Sequence, residues 1–409
     1  MKENKLIPKR RFKEFINDEA WKQRKLGEVV KLNGRIGFRG YTEKDIITKD
    51  EGGVLTFSPT NIVKNRLTTD CRNTYITRFK YNESPEIQIK NGDVLFVKTG
   101  STLGKSALVK GISEDATVNP QVVVIRVEKD TEEYFSALLT TENILKQVEK
   151  RKIGGAVPTL TEAQINDLNI IDCQSKSEKH MIGTFFSKLD NLISLHHCKL
   201  KKLKEIKLAY LSEMFPKKGE KYPKLRFAGF TDPWEKRKFG DIAVRISSIS
   251  TVAELPRVEY EDIISGQGVL NKDIYEKQSN KQGIQFQSND VLYGKLRPYL
   301  KNWLFARFSG IAVGDFWVLR GNDTDGLFLY TLIQSKEFDK VANQSTGTKM
   351  PRADWSLVSN TEFYIPSQQA EQRRIGEYLH QLDKLINLHQ RKLEKLENIK
   401  KAYLNEMFM

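Results

Sequence analysis

Two loops carry the residues best suited to hold a polyanion. Lys98-Thr99-Gly100-Ser101-Thr102-Leu103-Gly104-Lys105 and Lys295-Leu296-Arg297-Pro298-Tyr299-Leu300-Lys301 each follow a short apolar run. Arg151-Lys152-Ile153-Gly154-Gly155 and Gly347-Thr348-Lys349-Met350-Pro351-Arg352 form a second pair. Lys and Arg can neutralise phosphates, and hydroxyl side chains can bond phosphates or base edges. The candidate contacts are Lys98, Thr99, Ser101, Thr102, Lys105, Arg151 and Lys152 in the first half. In the second they are Lys295, Arg297, Tyr299, Lys301, Thr348, Lys349 and Arg352. Any one of these reads most simply as solvated rim. Four such loops at matching places in two halves argue for a binding surface.

Residues for bond-making chemistry are missing. Gly104-Lys105-Ser106 ends like a phosphate-binding loop, but Thr99 stands where its first glycine is required. Asp232-Pro233-Trp234 only faintly resembles the aromatic tetrapeptide of amino-methyltransferases, and its repeat partner Asp18-Glu19-Ala20-Trp21 lacks the proline. No glycine-rich strand-loop-helix suits a methyl donor. Five His and the scattered Cys71, Cys173 and Cys198 offer neither a metal cluster nor a disulfide framework. The expectation is a non-enzymatic chain with no metal and no cofactor. Lys+Arg 67 against Asp+Glu 52 gives a net charge of +15 over 409 residues, which favours an anionic partner. No apolar run approaches the ~20 residues of a membrane span. The N-terminus Met1-Lys2-Glu3-Asn4-Lys5 lacks the apolar core of a secretory signal, so a cytoplasmic protein without a membrane partner is expected.

The chain is written twice. Glu178–Phe215 and Glu371–Phe408 align without a gap, with roughly 21 of 38 positions identical. Trp21–Val29 matches Trp234–Ile242, Pro8–Phe12 matches Pro223–Phe227, and Gly92–Leu95 faces Asn289–Leu292. Between these landmarks the halves diverge, as expected of one scaffold carrying two recognition surfaces.

Each repeated segment predicts a long helix of about 57 Å with a heptad seam. The seam runs through Leu189, Ile193, His196, Leu200 and Leu203, and through Leu382, Ile386, His389, Leu393 and Leu396. One chain with two such rods folds most simply with the rods antiparallel. His196 and His389 then come near each other at the middle, either as a polar layer that fixes register or with both rings turned outward onto a partner or into water. Leu192, Leu195, Ile206 and Leu211, with Leu385, Leu388, Ile399 and Leu404, widen the stripe beyond a two-stranded seam. They are the expected docking surface for a partner.

The regions around these helices predict mixed α/β domains. Val94–Val97, Val122–Ile125, Val291–Tyr293 and Phe316–Leu319 predict strands, and stretches near 132–150 and 325–341 predict helices. The expected fold is α+β: two pseudo-symmetric mixed α/β domains separated by two long antiparallel helices forming a coiled coil. The expected boundaries are 1–170, 171–217, 218–366 and 367–409.

Several residues together carry a resemblance. Gly154…Pro158 and Gly347…Pro351 each precede a Glu-x-x-x-Ile-Gly…Leu-Asp-x-Leu-Ile run, at Glu178–Ile193 and Glu371–Ile386. This arrangement resembles the specificity (S) subunit of type I restriction–modification systems along nearly the whole chain. The resemblance implies two target recognition domains, each reading half of a bipartite, asymmetric double-stranded DNA site. It implies helices that set the spacer and dock two methyltransferase (M) subunits, with restriction motor–nuclease (R) subunits completing the complex. The chain itself would then be the non-catalytic member. Lys179 stands where the second copy has the family's usual Gln372, which is expected to weaken that local contact. The competing expectation is a stand-alone two-domain DNA-binding regulator, which leaves the wide apolar helix faces unexplained.

Overall fold

A computed structural model of the protein describes residues 6–37, 39–69, 71–217, 219–276, 279–344 and 350–408. The chain divides into two compact units, Met1–Leu195 with Glu394–Met409, and His196–Leu393.

In the first unit, Val94–Val97 and Val122–Arg126 pair antiparallel as interior strands of a six-stranded sheet. Its order is Lys31–Asn33, Val122–Arg126, Val94–Val97, Ser106–Leu108, Arg66–Leu67, Ile62–Val63. The central strands are buried on both faces, so they read as unbroken apolar runs. Alternation sorts their side chains. Val94, Phe96, Val123 and Ile125 face a core with Tyr134, Leu138 and Ile182. Leu95, Val97, Val122 and Val124 face a second core with Phe57, Ala116 and Val118.

The second unit repeats this plan. Its central sheet runs Ala243–Ile246, Phe316–Gly321, Val291–Gly294, Trp303–Phe305. Val291, Tyr293, Trp317 and Leu319 face one core, and Leu292, Phe316 and Val318 the other. The four strands expected from sequence are therefore interior strands of the two sheets. Each expected helical stretch is a pair of helices: Glu132–Leu138 with Glu142–Arg151, and Gly326–Leu332 with Lys336–Ala342. In the second pair the break falls at Ser335, whose hydroxyl accepts from the Phe338 amide and caps the new helix.

The units differ in their second sheet. Val54–Phe57 pairs parallel with Ala116–Val118 in the first, and Arg257–Val258 with Gly310–Ala312 in the second. In the first unit the sheet extends beyond Val54–Phe57, through Thr74–Ile76 to Ile46–Ile47. In the second it extends beyond Gly310–Ala312, through Gly283–Phe286 to Ile249–Ser250. The additions grow from opposite edges of one shared parallel pair. This is why the middles of the two halves cannot be aligned.

The long helices are Lys176–Glu213 and Gln369–Met407. In the first unit the beginning of the first helix packs antiparallel on the end of the second. Phe185 meets Tyr403 and Phe186 meets Phe408, with ring centroids 5.0 and 5.7 Å apart. In the second unit the roles exchange, and Tyr210 meets Tyr378 at 5.3 Å. Met407 and Phe408 enter the core of the first unit, and Met214 and Phe215 that of the second. The repeated helix sequence is thus tied at both ends to a domain core, which restrains its drift.

Both helices carry a glycine one turn into the shared motif. A Cβ on Gly376 would lie 2.6 Å from the backbone of Leu327 and Phe328, and one on Gly183 would lie 2.6 Å from the Tyr134 amide nitrogen. Each helix crosses the first domain helix at a contact that admits no side chain. Gly376→Ala should destabilise the protein by about 1–3 kcal/mol, the usual cost of overpacking, measured by urea unfolding.

Candidate nucleic-acid interface

The four candidate loops come together as two composite ledges, one per domain. In the first, the Leu160 amide donates to the Lys98 carbonyl at 2.8 Å, and the Gly100 amide to the Pro158 carbonyl at 2.9 Å. Lys98 in turn donates to the Gln121 carbonyl at 2.8 Å, which anchors the ledge to the central strand. In the second, Ala353 donates to Lys295 at 2.8 Å, Arg297 to Pro351 at 2.7 Å, and Lys295 to Asp315 at 2.9 Å. The two bonding patterns are equivalent. Tyr260 braces the second ledge from below: its hydroxyl donates to the Asp315 carbonyl at 2.5 Å and accepts from the Leu296 amide at 3.1 Å.

Charge divides the candidates. Lys98 pairs with Glu162 at 2.8 Å, Arg151 with Asp167 at 2.9 Å, and Lys152 with Glu149. Lys295 and Arg352 share Asp315, at 3.6 and 3.1 Å. Lys105, Arg297 and Lys301 have no ion pair among the described residues. Ser101 and Tyr299 are exposed, while Thr99 and Thr102 are half-buried. Thr348 and Lys349 lie outside the described residues. The counter-ions Glu162 and Asp315 were not among the sequence candidates, because nothing in their local pattern announces a partner so distant along the chain.

The ledges also differ in backbone. Gly100 and Gly104 have φ of +108° and +85°. Counting from the strands that flank both loops, Arg297 and Lys301 occupy these places, with φ of +49° and +58°. The left-handed region costs an L residue about 1–2 kcal/mol, a cost glycine escapes.

One polar motif holds each domain to its helix, and a second ties the two long helices to each other. Arg11 grips Glu178 through two bonds of 2.6 and 2.7 Å, and Arg226 grips Glu371 through bonds of 2.7 and 2.8 Å. The Cys173 thiol donates to Glu178 at 2.9 Å; burial and this carboxylate push it well above the ordinary thiol range. Asp190 pairs with Lys400 at 2.7 Å in the first unit, and Asp383 with Lys207 at 2.5 Å in the second. Burial raises the Asp383 carboxyl, and Lys207 opposes that rise. The sequence signal for Arg11 and Arg226 was their retention inside the Pro8–Phe12 and Pro223–Phe227 landmarks.

The expected weakening at Lys179 is corrected. Gln372 accepts from the Asp325 amide at 3.0 Å and donates to the Pro366 carbonyl at 2.8 Å. Lys179 instead pairs with buried Asp172 at 2.9 Å and lies over the rings of Tyr134 and Phe135. Asp172 stands where the second copy has Ile365, at the same offset as Lys179 and Gln372. Two linked replacements exchange a neutral, hydrogen-bonded arrangement for an ion-paired one.

Along the helices, Leu189, Ile193, Leu200, Leu382, Ile386 and Leu393 are buried, and Leu203 and Leu396 half-buried. His196 and His389 meet through their Nδ1 atoms at 2.8 Å, so one ring donates and the other accepts. Of the docking candidates, Leu192, Leu195, Ile206, Leu385 and Leu388 are exposed by 40% or more. Leu404 is not available: it is buried in the core of the first unit. Ile399 packs against that core and Leu211 against the core of the second unit, because each helix end turns its extra apolar residues inward.

Burial holds the His389 imidazole below its ordinary range, with nearby His196, Lys199 and Lys392 adding to the effect. His380, enclosed beside Phe305, is pushed down to about 4 by burial, with Lys384, Arg307 and Lys207 contributing. A lowered pKa in the folded state means that the unfolded chain takes up protons first. The stability contribution is therefore full above about 6.5 and is lost as pH falls through the folded value near 4. His380→Leu should flatten the acid side of the stability profile by on the order of 1 kcal/mol, since solvent access screens the ring. Urea unfolding of both forms between pH 7 and 4 measures the difference.

Two copies of one mixed-sheet domain, each feeding a long helix and each bearing a basic ledge, define a duplicated recognition protein. A model of the type I restriction modification DNA specificity domain matches residues 18–205 and 231–398, and the chain belongs to this family as a specificity subunit. It is 20% identical over 412 residues to the specificity subunit of the type I restriction enzyme MjaVIII of Methanocaldococcus jannaschii, covering 95% of this chain and 92% of that protein. Its fold is similar to the crystal structure of the S subunit of a type I restriction–modification system from M. genitalium. The TM-score is 0.68, at 13% identity and 99% coverage of both chains.

Proposed function

We propose that each domain reads one half of a split, asymmetric duplex site and that the two long helices set the spacer between the halves. The observation that carries this reading is the pair of ledges: they share one scaffold and bonding pattern but present different side chains. A shared scaffold fixes how each domain meets the duplex, and different side chains select different bases. The net charge of +15 supplies the sequence-independent attraction to DNA.

The exposed Leu192, Leu195, Ile206, Leu385 and Leu388 are the proposed docking residues for two methyltransferase subunits, with motor–nuclease subunits joining the complex. In this reading the chain is the non-catalytic member, and adenine methylation and cleavage belong to its partners. The complex works on DNA in the cytoplasm; no helix among the described residues is long and apolar enough to cross a membrane.

The test is to map adenine methylation by single-molecule sequencing in cells expressing this chain with its neighbouring methyltransferase. A split, asymmetric motif with one methylated adenine on each strand is expected. A contiguous palindrome, or no new methylation by an active methyltransferase, overturns the reading in favour of a stand-alone DNA-binding regulator.

A further inference from the structure

Equivalent ledges should keep equivalent backbones at equivalent cost, and these do not. The first domain fills both left-handed positions with Gly100 and Gly104, the residue type that adopts them freely. The second fills them with Arg297 and Lys301. Both substitutions go from the least strained residue to a long cation. Both sit on one loop, at either end of the short turn Pro298–Leu300 that carries exposed Tyr299.

A general need for positive charge does not explain the placement, since the same loop has ordinary positions where a cation carries no backbone strain. Nor does internal pairing explain it. Lys98, Arg151, Lys152, Lys295 and Arg352 all face internal carboxylates, whereas Arg297 and Lys301 have none among the described residues. The Nε atom of Arg297 is enclosed and has no acceptor among those residues. Side chains held at strained positions without an internal partner point to an external one.

We propose that Arg297 and Lys301 bind the phosphodiester backbone of the DNA at the second half-site, and that the first domain makes no such contact from Gly100 and Gly104. This rests on the DNA reading above and deepens it. The two domains grip their half-sites with unequal electrostatics from one shared loop geometry. From these two places the second ledge makes two salt-sensitive contacts that the first lacks.

The test compares the full chain with the double variant Arg297→Gly, Lys301→Gly, binding a mixed-sequence duplex across a salt series. Affinity should fall at least tenfold at low salt. The slope of log affinity against log salt should become shallower by about 2, close to one per lost phosphate contact. The thermal midpoint should hold or rise, because glycine relieves both left-handed positions. A second variant, Arg297→Asn with Lys301→Asn, keeps a side chain that tolerates this backbone and removes the charge. It should lose the same binding; wild-type affinity in this variant would mean that loop stiffness rather than charge was at stake, and would overturn the proposal. An unchanged slope in the glycine variant, with wild-type DNA binding intact, overturns it equally. A wild-type chain that binds no duplex at any salt instead sinks the DNA reading itself.

Discussion

Arg11→Ala should cost the protein about 3–5 kcal/mol, the range for a buried ion pair that loses one partner. The reason lies at Glu178, whose side chain has no solvent exposure. Its carboxylate is held by both guanidinium bonds of Arg11 and by the Cys173 thiol. Removing the arginine leaves a buried charge with one weak donor. The cost is dominated by desolvation that nothing offsets, rather than by the lost attraction itself. Arg11→Met with Glu178→Met, which removes both charges and keeps apolar volume, should recover most of the loss. Urea unfolding of the single and double variants measures both. A single variant within 1 kcal/mol of wild type would show that water reaches Glu178.

The second large effect is a coupled one. Lys179→Gln alone should destabilise by about 3 kcal/mol, because Asp172 is then buried beside Tyr134 without its cation. Lys179→Gln with Asp172→Ile rebuilds the arrangement that Gln372 and Ile365 form in the second unit. It should return to within about 1 kcal/mol of wild type, giving a coupling energy of about 2 kcal/mol or more. The loss in the single variant should also depend on pH. Burial raises the Asp172 carboxyl in the folded protein, with Lys179 opposing the rise. Without Lys179 the rise is larger. A raised folded pKa gives a contribution that is full below the unfolded value near 4 and is lost as pH climbs through the folded one. The single variant should therefore lie closer to wild type at pH 4.5 than at pH 7. Equal deficits at the two values, or additive single effects, would mean that the pair is not coupled.

These two sites show why the helix motif persists through the duplication. Glu178 and Glu371 receive the arginines, Gly183 and Gly376 admit the domain helix, and Asp190 and Asp383 pair with Lys400 and Lys207. Each of these motif residues is fixed by a contact to something outside its own helix. The ledges share their backbone bonds but not their ion pairs, with Lys98 on Glu162 in one and Lys295 and Arg352 on Asp315 in the other, so the remaining side chains can diverge.

Much of this was legible in the residues alone. The duplication, the two long helices and the interior strands of the sheets follow from repeat alignment, heptad spacing and bounded apolar runs. Each of these is a local, periodic signal. The S-subunit family was legible for the same reason, since its motif lies in the repeated helices. The candidate loops could be named because basic and hydroxyl residues cluster there along the chain.

Only the tertiary structure decided which of those residues are partnered. Lys98 is tied to Glu162 and Arg352 to Asp315, and Leu404 is a core residue rather than a docking one. The same holds for the exchange of Lys179 and Asp172 for Gln372 and Ile365, and for the left-handed backbone at Arg297 and Lys301. It holds again for the second sheets, which extend from opposite edges of a common strand pair. Ion pairs, burial and sheet edges join segments far apart in the chain. The energy of a buried charge or a strained residue depends on what the fold brings beside it, and no local spacing of residue types encodes that neighbour.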